Sequence, residues 1–400
     1  MGDSVTELDY VASRREKCRA CDRRVGRRCG VLVAAGKRGV IEGTSGIEKP
    51  EAACPVGEWS SLVFKPSVGD VGFVVVVHLR YGGTEVWHRS LLPRLENVAG
   101  LAVINEGQAD GPAELVGCPI GRGVESARRL AASVKTLVVW GIGDTLGDIV
   151  GGMTHRPRVI SVSHCDDRSQ WTIDYMAKQA PWTDQAVYLS PTGINTVPAG
   201  RLRDSAVMIP NAPDPLRIAA TTPRGITRTA IGVEPGQIML LVTARISEEK
   251  RLGVLSDALS HLPTKYVLVV AGPENDAEAA AKLRGNDRVI MLGPVDPPGD
   301  LLAACDGVLS ASRYEGYGLA MAEGILAGKP LIATRTGLLE RLEGVARIVS
   351  DDATPADWAT IIKSVFRDHD NREDRVATGL ASIDRIDDFV DAWRTLLRGS

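Results

Sequence analysis

Glu315 and Glu323 stand eight residues apart in the stretch RYEGYGLAMAEGILAGKP, from Arg313 to Pro330, with Gly316 and Gly318 between them. Two carboxylates this close in sequence suggest a general acid and its base. On a regular helix, however, eight steps of 1.5 Å separate their backbones by about 12 Å. Glycosidase carboxyl pairs lie about 5 to 9.5 Å apart across one scissile bond. The spacing therefore suits an elongated ligand held at two points better than one bond attacked from two sides. The glycines permit strained turns and close ligand approach where a helix begins and its free amides favour a phosphate. The residue types read as a nucleotide-sugar site, with two solvated glutamates on an amphipathic helix as the plain alternative.

The stretch resembles the hallmark of family 4 retaining glycosyltransferases of GT-B fold, a Glu, seven residues and a Glu around a Gly-Leu pair. The resemblance implies that Glu315 contacts donor sugar hydroxyls, that the amides near Gly318 and Leu319 face the diphosphate, and that Glu323 holds the ribose. A second block, LVTARISEEKRLGVLSDAL from Leu241 to Leu259, is similar to the family's strand, basic loop and helix. It implies that Arg245 and Lys250 clamp the diphosphate, where fixed cations stabilise the charge of a leaving nucleoside diphosphate. GGTE, from Gly82 to Glu85, matches the family's glycine-rich loop, so Gly82 and Gly83 are expected to approach the donor phosphate, with Thr84 capping the following helix. His164, at the end of a buried strand, matches a histidine near the sugar's C6 hydroxyl or the reacting centre. Asp166 and Asp167 read as capping or acceptor-side residues, because relatives generally need no catalytic metal. EGILAG follows where many relatives have EAMA, so Gly324 is expected to widen the space beside the ribose. The turns Val269–Asp276 and Leu292–Pro298 are expected to approach the base and ribose. A UDP-sugar is the expected donor, and a sugar-nucleotide or nucleic-acid-binding protein on the same scaffold is the non-enzyme alternative.

Positioning these residues requires two α/β units. Short apolar strands alternate with amphipathic helices, the signature of parallel sheets, and the reading is an α/β chain of GT-B architecture with two Rossmann-like doubly wound domains. Expected strands include Val71–Val77, Leu101–Ile104, Thr136–Trp140, Val159–Val162, Ala186–Leu189 and Val207–Ile209 in the first unit. Those of the second include Tyr266–Ala271, Val289–Met291, Gly307–Leu309 and Leu331–Ala333. The boundaries follow as residues 1–65 for a cysteine-rich module, 66–210 for the acceptor-side domain, 211–236 for a linker and 237–375 for the nucleotide-sugar domain. Residues 376–400 form a C-terminal helix that in relatives often crosses back to the first half.

The first sixty residues lie outside that resemblance. Cys18, Cys21, Cys29 and Cys54 are spaced C-x2-C-x7-C-x24-C, a pattern that fits structural zinc, with an iron–sulfur cluster left open by the spacing. The segment resembles short four-cysteine modules of bacteriophage proteins. From Arg14 to Arg38 ten basic residues face two acidic ones, about +8 on a chain of net charge −3, so this region could track a nucleic-acid backbone. Two acceptor readings stand beside the non-enzyme alternative: a hydroxymethylated base in phage DNA, or a small molecule, lipid headgroup or polysaccharide. Trp59, Trp87, Trp171, Tyr175 and Trp182 are candidate stacking platforms for a flipped base. The longest apolar runs fall far short of the roughly 18 residues of a membrane span, so no membrane insertion and a cytoplasmic location, a host's cytoplasm if phage-encoded, are expected.

Overall fold

The computed structural model describes residues 67, 69–75, 82–104, 118–367 and 369–398, together with the strands β1 (Arg24–Val25) and β2 (Arg28–Cys29), which pair antiparallel. Cys18, Cys21 and Cys54 lie outside the described residues, as does Trp59, and the side chain of Cys29 does too.

Two parallel sheets dominate the described chain. The first is built from β3 (Val71–Val75), β4 (Val98–Val103), β5 (Ile120–Arg122), β6 (Thr136–Trp140), β7 (Arg158–Ser163), β8 (Gln185–Tyr188) and β9 (Val207–Met208). Its spatial order is β5-β4-β3-β6-β7-β8-β9. The second contains β10 (Ile238–Thr243), β11 (Tyr266–Ala271), β12 (Val289–Gly293), β13 (Gly307–Ser310), β14 (Leu331–Thr334) and β15 (Arg347–Val349), in the order β12-β11-β10-β13-β14-β15. Each winds outward from its first strand, then reverses to the other side, so each has a switch point, at β3/β6 and at β10/β13.

The strand sequences explain the burial. VGFVV, TLVVW and YVLVVA are almost wholly apolar because parallel strands are covered on both faces. Successive residues then divide between the faces. Phe73 and Val75 enter a cluster that also holds Trp87, Met239, Leu241, Tyr317 and Trp393, whereas Val74 joins Leu137 and Leu146 on the outer face. That central cluster contains residues of both sheets and is the core between the halves. Leu240, Val242 and Leu268 pack outward against Trp358 of the helix Pro355–Arg367.

The stretch read as a linker holds two short helices, Pro215–Ile218 and Arg224–Ala230. Asp214 caps the first of these, accepting from the Leu216 amide at 3.0 Å, with Pro215 in its first turn. The helix Ile386–Arg398 crosses onto the first half, where the Trp393 ring meets Trp87 edge-on at 5.2 Å. Arg394 Nη2 donates to the Arg94 carbonyl, and Arg158 Nη1 donates to the Leu396 carbonyl. Among the described residues no helix is long and apolar enough to cross a membrane.

Candidate active site

The switch point of the second sheet dictates where its chemistry gathers. The loops leaving β10 and β13 emerge side by side from adjacent parallel strands, and Lys250 Nζ on the first meets Glu315 Oε1 on the second at 2.6 Å. Ser312 Oγ donates to the same carboxylate oxygen at 2.7 Å, and the Ser312 carbonyl in turn accepts from Thr334 Oγ1 at 2.6 Å. Glu315 is thus fixed from two strands. Arg245 is half-exposed and, among the described residues, pairs with Glu249 at 3.3 Å.

The helix begins later than the spacing suggests. It runs Leu319–Leu326, with Gly318 in the left-handed conformation (φ 86°) as its cap, so Glu315 lies in the loop before it and the helical estimate of the separation does not apply. Gly318 is favoured by its φ, which L side chains rarely adopt; an added Cβ would also stand 2.3 Å from the Met321 methyl, the end of a flexible side chain. The amides of Leu319, Ala320 and Met321 are the first-turn donors of this helix, and all three residues line the cleft. Gly324 does not widen the ribose side. A Cβ there would meet Val308 Cγ2 at 2.9 Å, so this glycine lets the helix lie close on β13.

Glu323 is buried, not solvated. Its Oε1 accepts from Arg217 Nε at 2.7 Å; Arg217 Nη1 reaches Asp296 Oδ1 at 2.5 Å; and Asp296 Oδ2 accepts from Arg89 of the first half. Burial raises the Glu323 pKa and Arg217 opposes that rise. For Asp296 burial also pushes upward, but hydrogen bonds and charge from the two arginines outweigh it and hold the carboxyl below its ordinary range.

The opposite wall comes from the first half. Gly82 and Gly83 stand at the start of the helix Gly83–Leu91, and an added Cβ on Gly82 would collide with Glu85 Oε2, which curls back over it. The cap is Gly82 and not Thr84. Thr84 instead offers its carbonyl to His88 Nδ1 at 2.7 Å. Burial drives Glu85 up to about 7, against the pull of Arg245 and Arg89. His164, directly after β7, has its ring between Trp87 and Trp140, edge-on at 5.1 and 5.4 Å. Enclosure lowers it to about 3, and Nε2 has no partner among the described residues. A neutral ring offers a hydrogen bond, not a charge.

The two walls enclose a cleft of about 830 Å³. Arg245, Lys250, Glu315, Gly318, Leu319, Glu323, Gly82, Gly83 and His164 all line it, as do Gly272, Asn275 and Val295 of the two turns expected to approach a base. The walls touch where the Gly316 backbone meets His164: a Cβ on Gly316 would stand 1.7 Å from the His164 carbonyl oxygen. Of the aromatic platforms, Trp87 and Tyr175 are buried and cannot stack on a base, whereas Trp171 is half-exposed at the cleft edge. Asp166 is bound by its neighbour Arg168, and Asp167 by Asn195. Among the described residues no cluster could hold a metal ion.

Arg217, Asp296, Arg89 and Glu85 were not legible as site residues. Arg217 hides in a proline-rich stretch that reads as a linker. Its one local signal is the Asp-Pro start of a capped helix.

Residues 237–368, about a third of the chain, match the family described as glycosyl transferases group 1. Among curated proteins, the D-inositol 3-phosphate glycosyltransferase of Xylanimonas cellulosilytica is 30% identical over 188 residues, 44% of this chain and 45% of that protein. The N-acetyl-alpha-D-glucosaminyl L-malate synthase of Bacillus anthracis is 27% identical over 176 residues, 41% of this chain and 46% of that protein. The chain thus spans about half the length of the curated relatives it matches. Among solved structures, Anabaena HepE in complex with UDP and glucose superposes with a TM-score of 0.72 at 17% identity, over 83% of this chain and all of that one. The sucrose-phosphate synthase of Thermosynechococcus elongatus does so with a TM-score of 0.63 at 15% identity, over the same shares. The chain has the GT-B fold, with two Rossmann-type parallel sheets, and the residues that match the group 1 glycosyl transferase family contain its second sheet.

Proposed function

We propose that the protein is a retaining glycosyltransferase that moves a sugar from a nucleotide-sugar donor, a UDP-sugar, to a hydroxyl acceptor. The observation that carries this reading is the gathering of Arg245, Lys250, Glu315, the Leu319 helix start and Glu323 along one wall of a single cleft. In this reading the nucleotide ribose lies at Glu323, the diphosphate between the helix start and the two cations, and the transferred sugar at Glu315, with His164 and Gly82–Gly83 across from it. The anomeric C–O bond to the diphosphate breaks and the acceptor oxygen bonds to the same face. The departing diphosphate oxygen takes the acceptor's proton. Lys250 and Arg245 stabilise the charge that develops on that oxygen, and Glu315 and the buried walls hold the sugar in place.

The acceptor is assigned from the N-terminal segment. Four cysteines, Cys18, Cys21, Cys29 and Cys54, read as structural zinc ligands, and the first three stand in the strongly basic stretch Arg14–Arg38, which favours a hydroxymethylated base in phage DNA over a small molecule, lipid headgroup or polysaccharide. Mass spectrometry of products after incubation with a panel of UDP-sugars and with hydroxymethylated or unmodified duplex tests both halves of the proposal. A hexose mass added only to the modified duplex supports it. Sugar transfer to a small hydroxyl acceptor but never to DNA removes the DNA reading, and no transfer or donor turnover with any UDP-sugar removes the enzyme reading. Elemental analysis of the purified chain, expected at about one zinc per chain, tests the metal.

A further inference from the structure

The charged chain Glu323–Arg217–Asp296–Arg89 is unlike a surface ion pair. Its members come from four places: the helix after β13, the segment between the two sheets, the loop after β12 and the first helix of the other half. All four side chains are at most 17% exposed and all four line the cleft. Two cations alternate with two anions, so the group is neutral as a whole, the condition under which buried charges are tolerated. Arg217 sits at its centre. The planar guanidinium puts Nε on Glu323 and Nη1 on Asp296, a division between two carboxylates that a point-charge ammonium cannot reproduce.

The consequence falls on Glu323. Arg217 occupies Oε1, while Oε2 has no hydrogen-bond partner among the described residues and remains to accept from a ligand hydroxyl. A buried carboxylate accepts strongly only if it is ionised and held still. We propose that Arg217 is a positioning residue for nucleotide recognition, fixing Glu323 so that its free oxygen reads the ribose diol of the donor, with Asp296 and Arg89 holding Arg217 in turn. The inference rests on the placement of the nucleotide ribose at Glu323. It adds that selection for a ribonucleotide is set by a residue that does not itself touch the ribose.

Calorimetric titration of the full chain with UDP and with 2′,3′-dideoxy-UDP separates the two ideas. Wild type is expected to prefer UDP by at least tenfold, and Glu323→Gln to bring that ratio to within about threefold. Arg217→Met is expected to lose the preference to the same degree while its affinity for the dideoxy nucleotide changes less than threefold. Arg217→Lys, which keeps the charge and loses the fork, is expected to recover only part of the ratio and guards against a Met variant that fails to fold. If Glu323→Gln keeps the wild-type ratio, the ribose placement itself fails. If Glu323→Gln loses it but the folded Arg217 variants keep it, the positioning role fails. Equal loss of both nucleotides in folded Arg217→Lys also overturns the proposal, because Arg217 would then bind the diphosphate directly.

Discussion

Lys250 Nζ and Glu315 Oε1 form an ion pair at 2.6 Å, closing the basic loop after β10 onto the loop after β13. Both side chains are largely buried, at 13% and 19% exposure. Removing one partner leaves the other uncompensated, so the pair is expected to matter to folding as well as to chemistry.

Lys250→Ala and Arg245→Ala are expected to reduce kcat by about 100- to 1,000-fold each, the range for losing one fixed group that meets developing charge. The two should differ in stability. Arg245 is half-exposed and its pair with Glu249 is worth less than about 1 kcal/mol, so its variant should melt with wild type, whereas Lys250→Ala should melt lower. Steady-state kinetics beside thermal melts check both; near-normal turnover in both variants defeats the assigned roles.

Gly316→Ala drives a methyl group into the His164 carbonyl at the place where the two walls meet. Relief requires the loops to separate, at a cost of about 1–3 kcal/mol, with a lower Tm and a loss of activity exceeding tenfold. Gly225→Ala is the paired control. That position lies in the helix Arg224–Ala230 with open space around the added carbon, and the change should be neutral or stabilising by up to about 1 kcal/mol.

Glu85 gives stability a pH dependence of defined sign. Burial pushes its carboxyl up to about 7 in the folded chain from an ordinary 4.5, so the folded state holds the proton more tightly. Stability from this group is complete below about 4.5 and is lost as pH rises through about 7, up to about 3 kcal/mol. Glu85→Gln removes this term, and its Tm should exceed wild type by a margin that grows between pH 5 and about 8. A constant margin across that range contradicts the assignment. The buried His88, lowered to about 4 from 6.5, acts in the opposite sense: its contribution is present above 6.5 and is lost as pH falls towards 4.

Trp393→Ala empties a fully buried site between the last helix and the first half. Urea unfolding should show a loss of about 3–5 kcal/mol or a separate early transition of the first half. A change below 1 kcal/mol would mean that the helix contributes little to that half.

The strands were legible where the sheet buries both faces. Thr136–Trp140 and Tyr266–Ala271 appear with the expected bounds, because a continuous apolar run of five or six residues between polar turns has few other solutions. The edge strands Ile120–Arg122 and Arg347–Val349 went unseen. They have three residues each, with arginines that blur the pattern. In the cleft, Arg245, Lys250, Glu315 and Glu323 were singled out through the family resemblance of the two blocks that carry them, because spacing alone leaves such cations and glutamates as ordinary surface charge. Arg217 and Asp296 were not, since their partners lie 106 and 79 residues away along the chain, and a long-range ion pair leaves no periodic trace. The same blindness made Trp87 a surface candidate when Trp393, from the far end of the described chain, covers it.

That cover sets a timetable. Arg94 receives its bond from Arg394, 300 residues later, and Trp87 is sealed by the same helix. At ribosomal rates of about 5–20 residues per second, the patch around Trp87 and Arg94 waits roughly 15–60 s for its cover. A ribosome slowed anywhere in the second sheet prolongs that interval and is expected to increase aggregation of a chain whose finished form is unchanged.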